Sequence, residues 1–320
     1  MKNVIQLDDN LYEIDTFLKY VEDEDLLDIH TRSFLLCGRE GAVLVDAGGL
    51  GTPNQVLQLL DELGIKKSRL RIIVLTHAHC DHVGGVKDIK EVTGCLVAVQ
   101  KNGAKPLRNL ETIFWDFMQA FPYQFPDSDK MRRMYFAIHS KPANPDIQFV
   151  GDEFRVDLDD VVLEAKAAPG HSSDSICYYE PNRHWLFTGD SLHGGGLEVD
   201  PPCYRDVAIY RDTLFRMKKL ELDGLFAAHL PAMNREQTHQ FLDLSVEMVE
   251  KIDTIVREQL KAAAKPLTLE DVGREIAQKI GKGYMIQALF TAKAHLTELE
   301  KQGFAIKYGS ENAKFEYVGN

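Results

Sequence analysis

The chain has 320 residues, of which 44% are hydrophobic and 27% charged, with a formal net charge of −12. This composition is typical of a soluble globular protein, and the length predicts one large domain with a smaller one. The negative charge argues against a general nucleic-acid-binding protein, whose binding surface is normally basic, although a local basic groove stays compatible with it.

The cysteines and the N-terminal segment indicate a compartment. The number of cysteines is odd and no Cys-x-x-Cys pair is present, which favours free thiols in a reducing environment over a disulfide framework. They are Cys37, Cys80, Cys95, Cys177 and Cys203. The N-terminal residues lack an apolar signal region, and no apolar run approaches the length of a membrane span. We therefore expect a cytoplasmic protein without a membrane segment.

The first hundred residues predict alternating strands and helices. A strand is expected at 11–14, and segments 33–37 and 42–46 show the hairpin pattern of two apolar runs around a turn. Thr52 and Pro53 predict a helix start, with Thr52 as N-cap, and Gly64 predicts its end. A second helix at 86–92 and a strand at 96–99 follow. This order predicts an α/β fold.

The strongest chemical signal lies between those elements. An apolar strand at 70–75 is followed by four potential metal ligands within six consecutive positions, 77–82, and then by two glycines. They are His77, His79, Asp81 and His82. His77 and His79 leave the strand on one side, and Asp81 and His82 fall where the chain is expected to turn. Imidazole and carboxylate together suit zinc and related metals, whereas a single histidine is usually an ordinary polar residue.

Residues 101–145 interrupt the alternation of strands and helices. They are rich in aromatic residues and Met, and their pattern is mostly helical. Two interpretations stay open. The segment lines a substrate pocket or a dimer contact, or it packs its own small core on the sheet, which is the commoner role of such a stripe.

A second β-rich series is expected from 147 to 192. It carries His171 in a loop after one strand and Asp190 directly after another, and His193 follows in a glycine-rich loop. A short strand at 224–228 ends at His229, and a long helix is expected from 235 to 261. Taken singly, His171, His193 and His229 are as readily surface or core histidines as functional ones.

The last segment, 263–320, predicts two helices and a hairpin, which resembles a winged helix. A winged helix suggests nucleic acid. However, residues 266–320 contain seven Lys and Arg and seven Asp and Glu, so their net formal charge is zero, while phosphate binding needs a surplus of positive charge. We therefore favour a structural or dimerising role for this segment.

The His-x-His-x-Asp-His motif after an apolar strand resembles the signature of the metallo-β-lactamase superfamily. His171 in Pro-Gly-His-Ser and Asp190 in Thr-Gly-Asp match further motifs of that family, in the same order. His229 matches the final ligand, although Ala228 and Leu230 flank it where the family usually has a glycine. The resemblance implies a four-layer αββα sandwich over 1–262, including the 101–145 insertion, and a separate small α+β domain at 263–320.

The resemblance also implies a site with two divalent metal ions. One ion is expected at His77, His79 and His171, the other at Asp81, His82 and His229, with Asp190 bridging them. Asp46 is expected to support the motif loop by hydrogen bonding, or else to be a solvated turn residue. Zinc is the first choice, with iron or manganese as alternatives; His79 replaces the Glu of the di-iron relatives, which favours hydrolysis.

Two adjacent cations about 3.5–4 Å apart lower the pKa of a bridging water, so that hydroxide can attack a carbonyl or phosphoryl centre. We therefore predict a dinuclear metal-dependent hydrolase that acts on a small acyl compound, such as a thioester or lactone. Asp81 and Asp190 are its predicted catalytic residues, and His193 its predicted substrate contact. The alternatives are a nuclease or nucleotide phosphodiesterase of the same fold, and a non-catalytic metal-binding regulatory protein. His30, Tyr204 and Arg205 are further residues whose loops could reach the site.

Overall fold

The computed structural model describes most of the chain. It covers residues 3–22, 25–109, 111–121, 129, 132–133, 136, 146–151, 153–197, 200–310 and 312–319; of residues 18–22, 25–29 and 117–120 it describes the backbone.

The first sheet has seven strands, in the order β1-β2-β3-β4-β5-β6-β7. They are β1 (Val4–Asp8), β2 (Leu11–Glu22), β3 (Asp25–Gly38), β4 (Gly41–Val45), β5 (Leu70–Val74), β6 (Leu96–Gln100) and β7 (Ile147–Val150). The predicted hairpin is confirmed as β3 and β4, which pair antiparallel, although β2 and β3 are longer than expected. β4 to β7 run parallel, so their carboxyl ends lie at one edge of this sheet.

The second sheet has the order β13-β12-β11-β10-β9-β8. Its strands are β8 (Arg155–Asp157), β9 (Val162–Ala167), β10 (Ile176–Glu180), β11 (Trp185–Gly189), β12 (Gly224–Ala227) and β13 (Met233–Asn234). The expected second β series is thus observed with one correction. Ile147–Val150, which the sequence placed at the start of that series, instead extends the first sheet, because its backbone pairs parallel with β6.

The helices between the strands follow the predicted rhythm. They are α1 (Thr52–Glu62), α2 (Cys80–Val83), α3 (Val86–Thr93), α4 (Ala104–Arg108), α5 (Glu111–Ala120) and α6 (Val207–Met217). Two local predictions were wrong. Gly51, not Thr52, is the N-cap of α1, since the Thr52 hydroxyl hydrogen-bonds Thr16 instead (2.7 Å). Asp81 and His82 lie in the one-turn helix α2 rather than in an open turn.

The C-terminal elements are α7 (Arg235–Ala262), α8 (Leu269–Ile280), α9 (Ile286–Lys301), and a three-stranded sheet of order β14-β16-β15. Its strands are β14 (Leu267–Thr268), β15 (Ala305–Tyr308) and β16 (Lys314–Tyr317). Thr268 is the N-cap of α8: its hydroxyl accepts a hydrogen bond from the Asp271 N–H, and the Asp271 carboxylate accepts one from the Thr268 N–H. The two helices and the hairpin are therefore present, while the winged-helix assignment stays a prediction.

The aromatic insertion is described in part. Phe114 and Phe121 are buried, Phe114 contacts the rings of Trp115 and Phe136, and Trp115 is exposed. These contacts form a small aromatic cluster within the described part. Most of 122–145, and with it the question of a pocket or a dimer contact, lies outside the described residues.

Contacts between residues divide the chain into two compact units that interleave in sequence. The first comprises Met1–Ala167, Asp174–Gly189 and Phe226–Pro231; the second comprises Ala168–Ser173, Asp190–Leu225 and Ala232–Asn320. The predicted boundary between 262 and 263 stays a prediction.

The helices and sheets of the first unit pack on one another in layers. Apolar residues of α1 and α3, such as Leu60 and Ile89, pack in one core with Leu44 and Ile73 of the first sheet. On the other side of that sheet, the Phe34 ring meets the Phe187 ring of β11 (centroids 5.4 Å apart). Helices, first sheet and strands of the second sheet therefore form successive layers, which confirms the predicted α/β fold class.

The core of the second unit joins the second half of α7 to the C-terminal elements. Ile252 and Val256 of α7 pack with Ile276 of α8, Leu296 of α9 and Phe315 of β16. No helix of the described residues is both long and apolar enough to cross a membrane.

Candidate metal centre

The segment after β5 is held by the neighbouring strand of the first unit. The Tyr178 hydroxyl donates to the Leu75 carbonyl (3.0 Å), and the Ile176 N–H donates to the Thr76 carbonyl (2.8 Å). The Asp174 carboxylate accepts from the Ala78 N–H (2.8 Å). These bonds pair three backbone groups of 75–78 outside any regular strand, so the segment can present side chains at the strand end.

Three imidazoles lie together on this segment and on α2. The His77 ring centroid is 4.4 Å from that of His79 and 4.1 Å from that of His82. All three side chains are buried. Cys80, between His79 and His82 in sequence, is also buried, and its Sγ lies 3.8 Å from Asp81 Oδ1.

Asp46 supports this loop. Its carboxylate accepts hydrogen bonds from the Thr76 N–H (2.8 Å), the Thr76 hydroxyl (2.8 Å) and His82 Nδ1 (2.9 Å). The residue is only 2% exposed, which excludes the solvated-turn interpretation. Its φ of 59° lies in the left-handed region, which Asp and Asn tolerate better than most residues. The backbone there turns so that one carboxylate serves two partners on the motif loop.

Asp81 lies at the centre of a group within the first unit. Its Oδ2 is 3.2 Å from His229 Nε2 and 3.5 Å from His82 Nε2, and it accepts a hydrogen bond from the buried Thr31 hydroxyl (3.3 Å). His229 Nδ1 donates to the carbonyl of His30 (2.5 Å). His30 therefore reaches the centre through its backbone, while its exposed ring pairs with Asp15.

The second unit carries His171 and Asp190. His171 Nδ1 donates to the Cys203 carbonyl (3.0 Å), and His171 Nε2 lies 3.7 Å from Asp190 Oδ2. Gly170 has a φ of 141°, and a Cβ there would lie 2.9 Å from the Tyr210 Cα, so only glycine fits before this ligand.

His193 lies beside His171. Its Nε2 is 3.3 Å from His171 Nδ1, and its backbone N–H donates to the Tyr210 hydroxyl (3.1 Å). The contact is with the Nδ1 side of His171, away from Nε2. This position suits a group that orients His171, while the substrate contact predicted for His193 stays a prediction.

The hydrogen bonds of three histidines fix one protonation pattern. Nδ1 of His82 faces a carboxylate, and Nδ1 of His171 and of His229 faces a carbonyl. Because these acceptors require a proton on Nδ1, Nε2 is the basic nitrogen of each ring, which is how metal-binding imidazoles are usually held.

Seven side chains are candidate metal ligands. Ligand atoms of Asp81, His82 and His229 lie within 4.8 Å of one another. The other candidates are His77 and His79 in the first unit, and His171 and Asp190 in the second. Imidazole and carboxylate donors of this kind fit a divalent first-row metal. These are the seven residues that the sequence predicted as ligands.

Several supporting groups escaped the sequence analysis: Thr31, Thr76, Asp174, Tyr178 and the Cys203 carbonyl. Short side chains and backbone carbonyls carry no motif of their own. Conversely, Tyr204 is fully buried against His295, and the Arg205 guanidinium lies over the Phe290 ring. These contacts are with α9, and the Tyr204 ring also stacks on the Tyr210 ring of α6.

Comparison with known families gives a match over most of the chain. A family model described as the metallo-beta-lactamase superfamily matches residues 28–229. A beta-lactamase-like protein 2 homolog of Caenorhabditis elegans is 23% identical over 288 residues, 89% of this chain and 82% of its own length. The acyl-coenzyme A thioesterase MBLAC2 of Homo sapiens is 30% identical over 208 residues, 62% of this chain and 71% of its own length.

Solved structures share the fold over nearly the whole chain. A metallo-beta-lactamase family protein from Thermus thermophilus superposes with a TM-score of 0.73 at 19% identity, covering 98% of this chain and 100% of its own. A beta-lactamase domain protein from Burkholderia ambifaria gives 0.74 at 16% identity, covering 98% and 94%. The likeness in fold therefore includes the C-terminal elements.

Proposed function

Since the chain belongs to the metallo-β-lactamase superfamily and is a metal-dependent hydrolase, we propose that it hydrolyses acyl thioesters, with acyl-coenzyme A as the first substrate class to test. The human relative named for that activity supports the choice. The observation that carries the proposal is the donor set itself, in which His82, His171 and His229 each have Nδ1 held by an acceptor.

We assign the donors to two ions as the family pattern implies. His77, His79 and His171 would hold one ion, Asp81, His82 and His229 would hold the other, and Asp190 would serve both. Zinc is the first choice, with iron or manganese as alternatives. When bound, two such cations supply a water of lowered pKa and polarise the thioester carbonyl.

The residues of this chain then have separate tasks. Asp81 and Asp190 are the carboxylates that orient the attacking water and take up its proton. Thr31 and His229 hold the Asp81 carboxylate in place. Water adds to the carbonyl carbon, the carbon–sulfur bond breaks, and the thiol leaves with a proton. The products are a carboxylic acid and a free thiol.

The C-terminal elements give little support to the nuclease alternative. α9, the second helix of the predicted winged helix, buries nine of its sixteen residues. A helix that reads a nucleic-acid groove must expose its side chains to the bases and phosphates. We therefore propose a small-molecule substrate, and a structural or dimerising role for 263–320. We also propose that the protein is cytoplasmic. Light scattering of the purified chain tests whether it forms a dimer.

The test is a paired hydrolysis assay on zinc-loaded full-length chain. Released thiol is measured with an acyl-coenzyme A substrate, and released nitrophenol with a nitrophenyl phosphodiester. Asp190→Asn is the inactive comparison, and Asp61→Asn, an exposed carboxylate on α1, is the matched control. We expect thioester turnover in the wild type and Asp61→Asn, and at least a roughly hundredfold loss in Asp190→Asn.

Two outcomes would contradict the proposal. Phosphodiester turnover without thioester turnover would favour the nuclease alternative. Thioester turnover that survives both Asp190→Asn and removal of metal by a chelator would separate the activity from this centre.

A further inference from the structure

One face of α9 runs along the segment that follows the glycine-rich loop. Gln287, Thr291 and His295 are spaced by four residues, so they project from the same face of the helix. Their partners lie in order along 200–204: the Asp200 carboxylate (3.5 Å), the Pro202 carbonyl (2.5 Å) and the Tyr204 hydroxyl (2.8 Å). The helix therefore binds this segment at three successive points.

The same segment carries the acceptor of a candidate metal ligand. The Cys203 carbonyl accepts the hydrogen bond from His171 Nδ1 (3.0 Å). Cys203 lies between Pro202 and Tyr204, which are both bound by α9. The carbonyl is thus held from both neighbours in the chain, and its position relative to His171 depends on the helix.

A buried polar array fixes the last of the three points. The Tyr204 hydroxyl is 2.8 Å from His295 Nε2, and His295 Nδ1 is 3.3 Å from Asp253 Oδ1 on α7. Tyr204 and His295 are fully buried. Because an ionised carboxylate only accepts, His295 Nδ1 carries the proton and Nε2 accepts the hydrogen bond from Tyr204.

The charge states support this direction of donation. Burial lowers the pKa of His295, against the opposing hydrogen bond to Asp253, so the ring is neutral near pH 7. Burial alone would raise the pKa of Asp253, but hydrogen bonds from His295 and Arg257 outweigh it and keep that pKa well below the usual range. Tyr204 has its pKa raised by burial and keeps its proton.

A second path runs from Tyr204 to the same ligand through stacked rings. The Tyr204 ring lies parallel to the Tyr210 ring, with centroids 4.5 Å apart. Tyr210 packs against Gly170, the residue before His171, and its hydroxyl accepts from the His193 N–H. Tyr204 is therefore linked to the backbone that carries His171 through Tyr210, and to the carbonyl that His171 contacts through the chain itself.

We propose, resting on the proposed metal centre, that Tyr204, His295 and Thr291 are positioning residues: through the Cys203 carbonyl, α9 fixes the tautomer and orientation of His171. The C-terminal segment then serves the metal site rather than nucleic acid. Outer partners of metal-binding histidines commonly change metal affinity by about 10–100-fold when removed.

The side chains of α9 that pack in the apolar core offer the control. Ala292, Leu296 and Leu299 pack in the core shared with α7 and α8. Leu299→Ala removes core packing and none of the hydrogen-bonding groups of the array. Tyr204→Phe and Thr291→Val each remove one hydroxyl while keeping the shape of the side chain. Tyr308→Phe, which removes the hydroxyl of an exposed tyrosine on β15, is the matched tyrosine control.

The experiment measures zinc affinity of the full chain by competition with a chromogenic chelator, together with the thermal midpoint of each metal-free variant. We expect the wild type to bind two zinc ions. Tyr204→Phe is expected to raise the dissociation constant of one of them about tenfold, and Thr291→Val several-fold. Leu299→Ala is expected to lower the midpoint most and to leave both constants unchanged, and Tyr308→Phe to change neither.

Unchanged zinc constants in Tyr204→Phe and Thr291→Val would overturn the proposal. So would an equal rise in Leu299→Ala, since the effect would then be general loss of stability. A wild-type chain that binds no zinc would instead defeat the proposed function, and the positioning role with it.

Discussion

His82 in the first compact unit and His171 in the second are supported by different means. In the first unit His82 hydrogen-bonds a carboxylate, Asp46, at the end of the adjacent strand β4. In the second unit His171 hydrogen-bonds a backbone carbonyl, that of Cys203, and the segment carrying this carbonyl is bound by a helix near the C-terminus. A charged side chain supports one ligand, whereas tertiary packing supports the other.

This difference has a physical consequence. A carboxylate strengthens the basicity of the imidazole and acts through its own charge, so its effect depends on one residue. A carbonyl is a weaker partner, and its placement depends on every contact that orders its segment. We expect a single mutation, at Asp46, to remove the support of His82. The support of His171 is expected to weaken step by step as contacts along α9 are removed.

The largest effect is expected for Asp46→Asn. Asn tolerates the left-handed backbone of this position, so the turn is kept. The amide lacks the negative charge, and its single oxygen cannot serve His82 together with both donors of Thr76. We expect zinc affinity to fall about 10–100-fold, measured by chelator competition.

Asp61→Asn on α1 is the control, because that carboxylate is exposed and pairs only with Lys67 among its described ion pairs. The proposed difference between the units is contradicted if Asp46→Asn binds zinc as tightly as this control. It is supported further if zinc affinity falls more in Asp46→Asn than in Tyr204→Phe.

The same contrast explains what the sequence could predict. The seven candidate ligands could be named from the sequence because four stand within six positions and the others follow strand ends in a recognisable order. The α/β fold followed from apolar runs alternating with helical patterns. In both cases the signal lies in residues close together in the chain, so a single sequence shows it without a structure.

The support of the second unit had no such signal. A backbone carbonyl such as that of Cys203 has no side-chain signature. His295 lies in an apolar helix, where a lone histidine resembles an ordinary core residue, and its partners are 42 and 91 positions away. Likewise, no local pattern showed that Ile147–Val150 pairs with β6 in the first sheet. Long-range pairing decides these features, and only the folded chain displays it.

A second, intermediate effect concerns pH. Because burial places the pKa of folded His295 below the ordinary 6.5, the unfolded chain binds a proton that the folded chain does not as the pH falls below about 6.5. The free energy of unfolding therefore falls with decreasing pH, by up to about 1.4 kcal/mol per pH unit, until the folded-state pKa is reached. Above about 6.5 this contribution is fully present.

The measurement is denaturant unfolding of the metal-free chain between about pH 7.5 and about 5, for the wild type and for His295→Gln. Asp253, Tyr204, Arg211 and Glu250 face His295, and Asp253 and Tyr204 do not titrate in this window, because the pKa of the first is lowered and that of the second raised. We expect a shallower decline in His295→Gln. If the free energy of unfolding fell equally with pH in the wild type and in His295→Gln, the array would not depend on a neutral His295. That result would contradict the support of His171 through α9.

The smallest effect is expected for Thr31→Val, which tests whether a residue distant in sequence also supports a candidate ligand of the first unit. Thr31 lies on β3, fifty positions before Asp81, and its buried hydroxyl donates to Asp81 Oδ2 at 3.3 Å. This is a remote contact within the first unit, as is that of His229 Nδ1 with the His30 carbonyl. Thr31→Val keeps the shape of the side chain and removes one rather long hydrogen bond to a carboxylate, which is worth about 1 kcal/mol, or roughly fivefold in the zinc dissociation constant.

Thr254→Val is its control, since that hydroxyl lies on α7 and donates to the carbonyl of Glu250 in its own helix. A fivefold loss in Thr31→Val alone would mean that both units combine near and remote supports and differ in proportion. No loss would leave Asp46 as the dominant support in the first unit. In that case the distribution of contacts along α9 becomes the property that distinguishes His171, because no single charged neighbour replaces them.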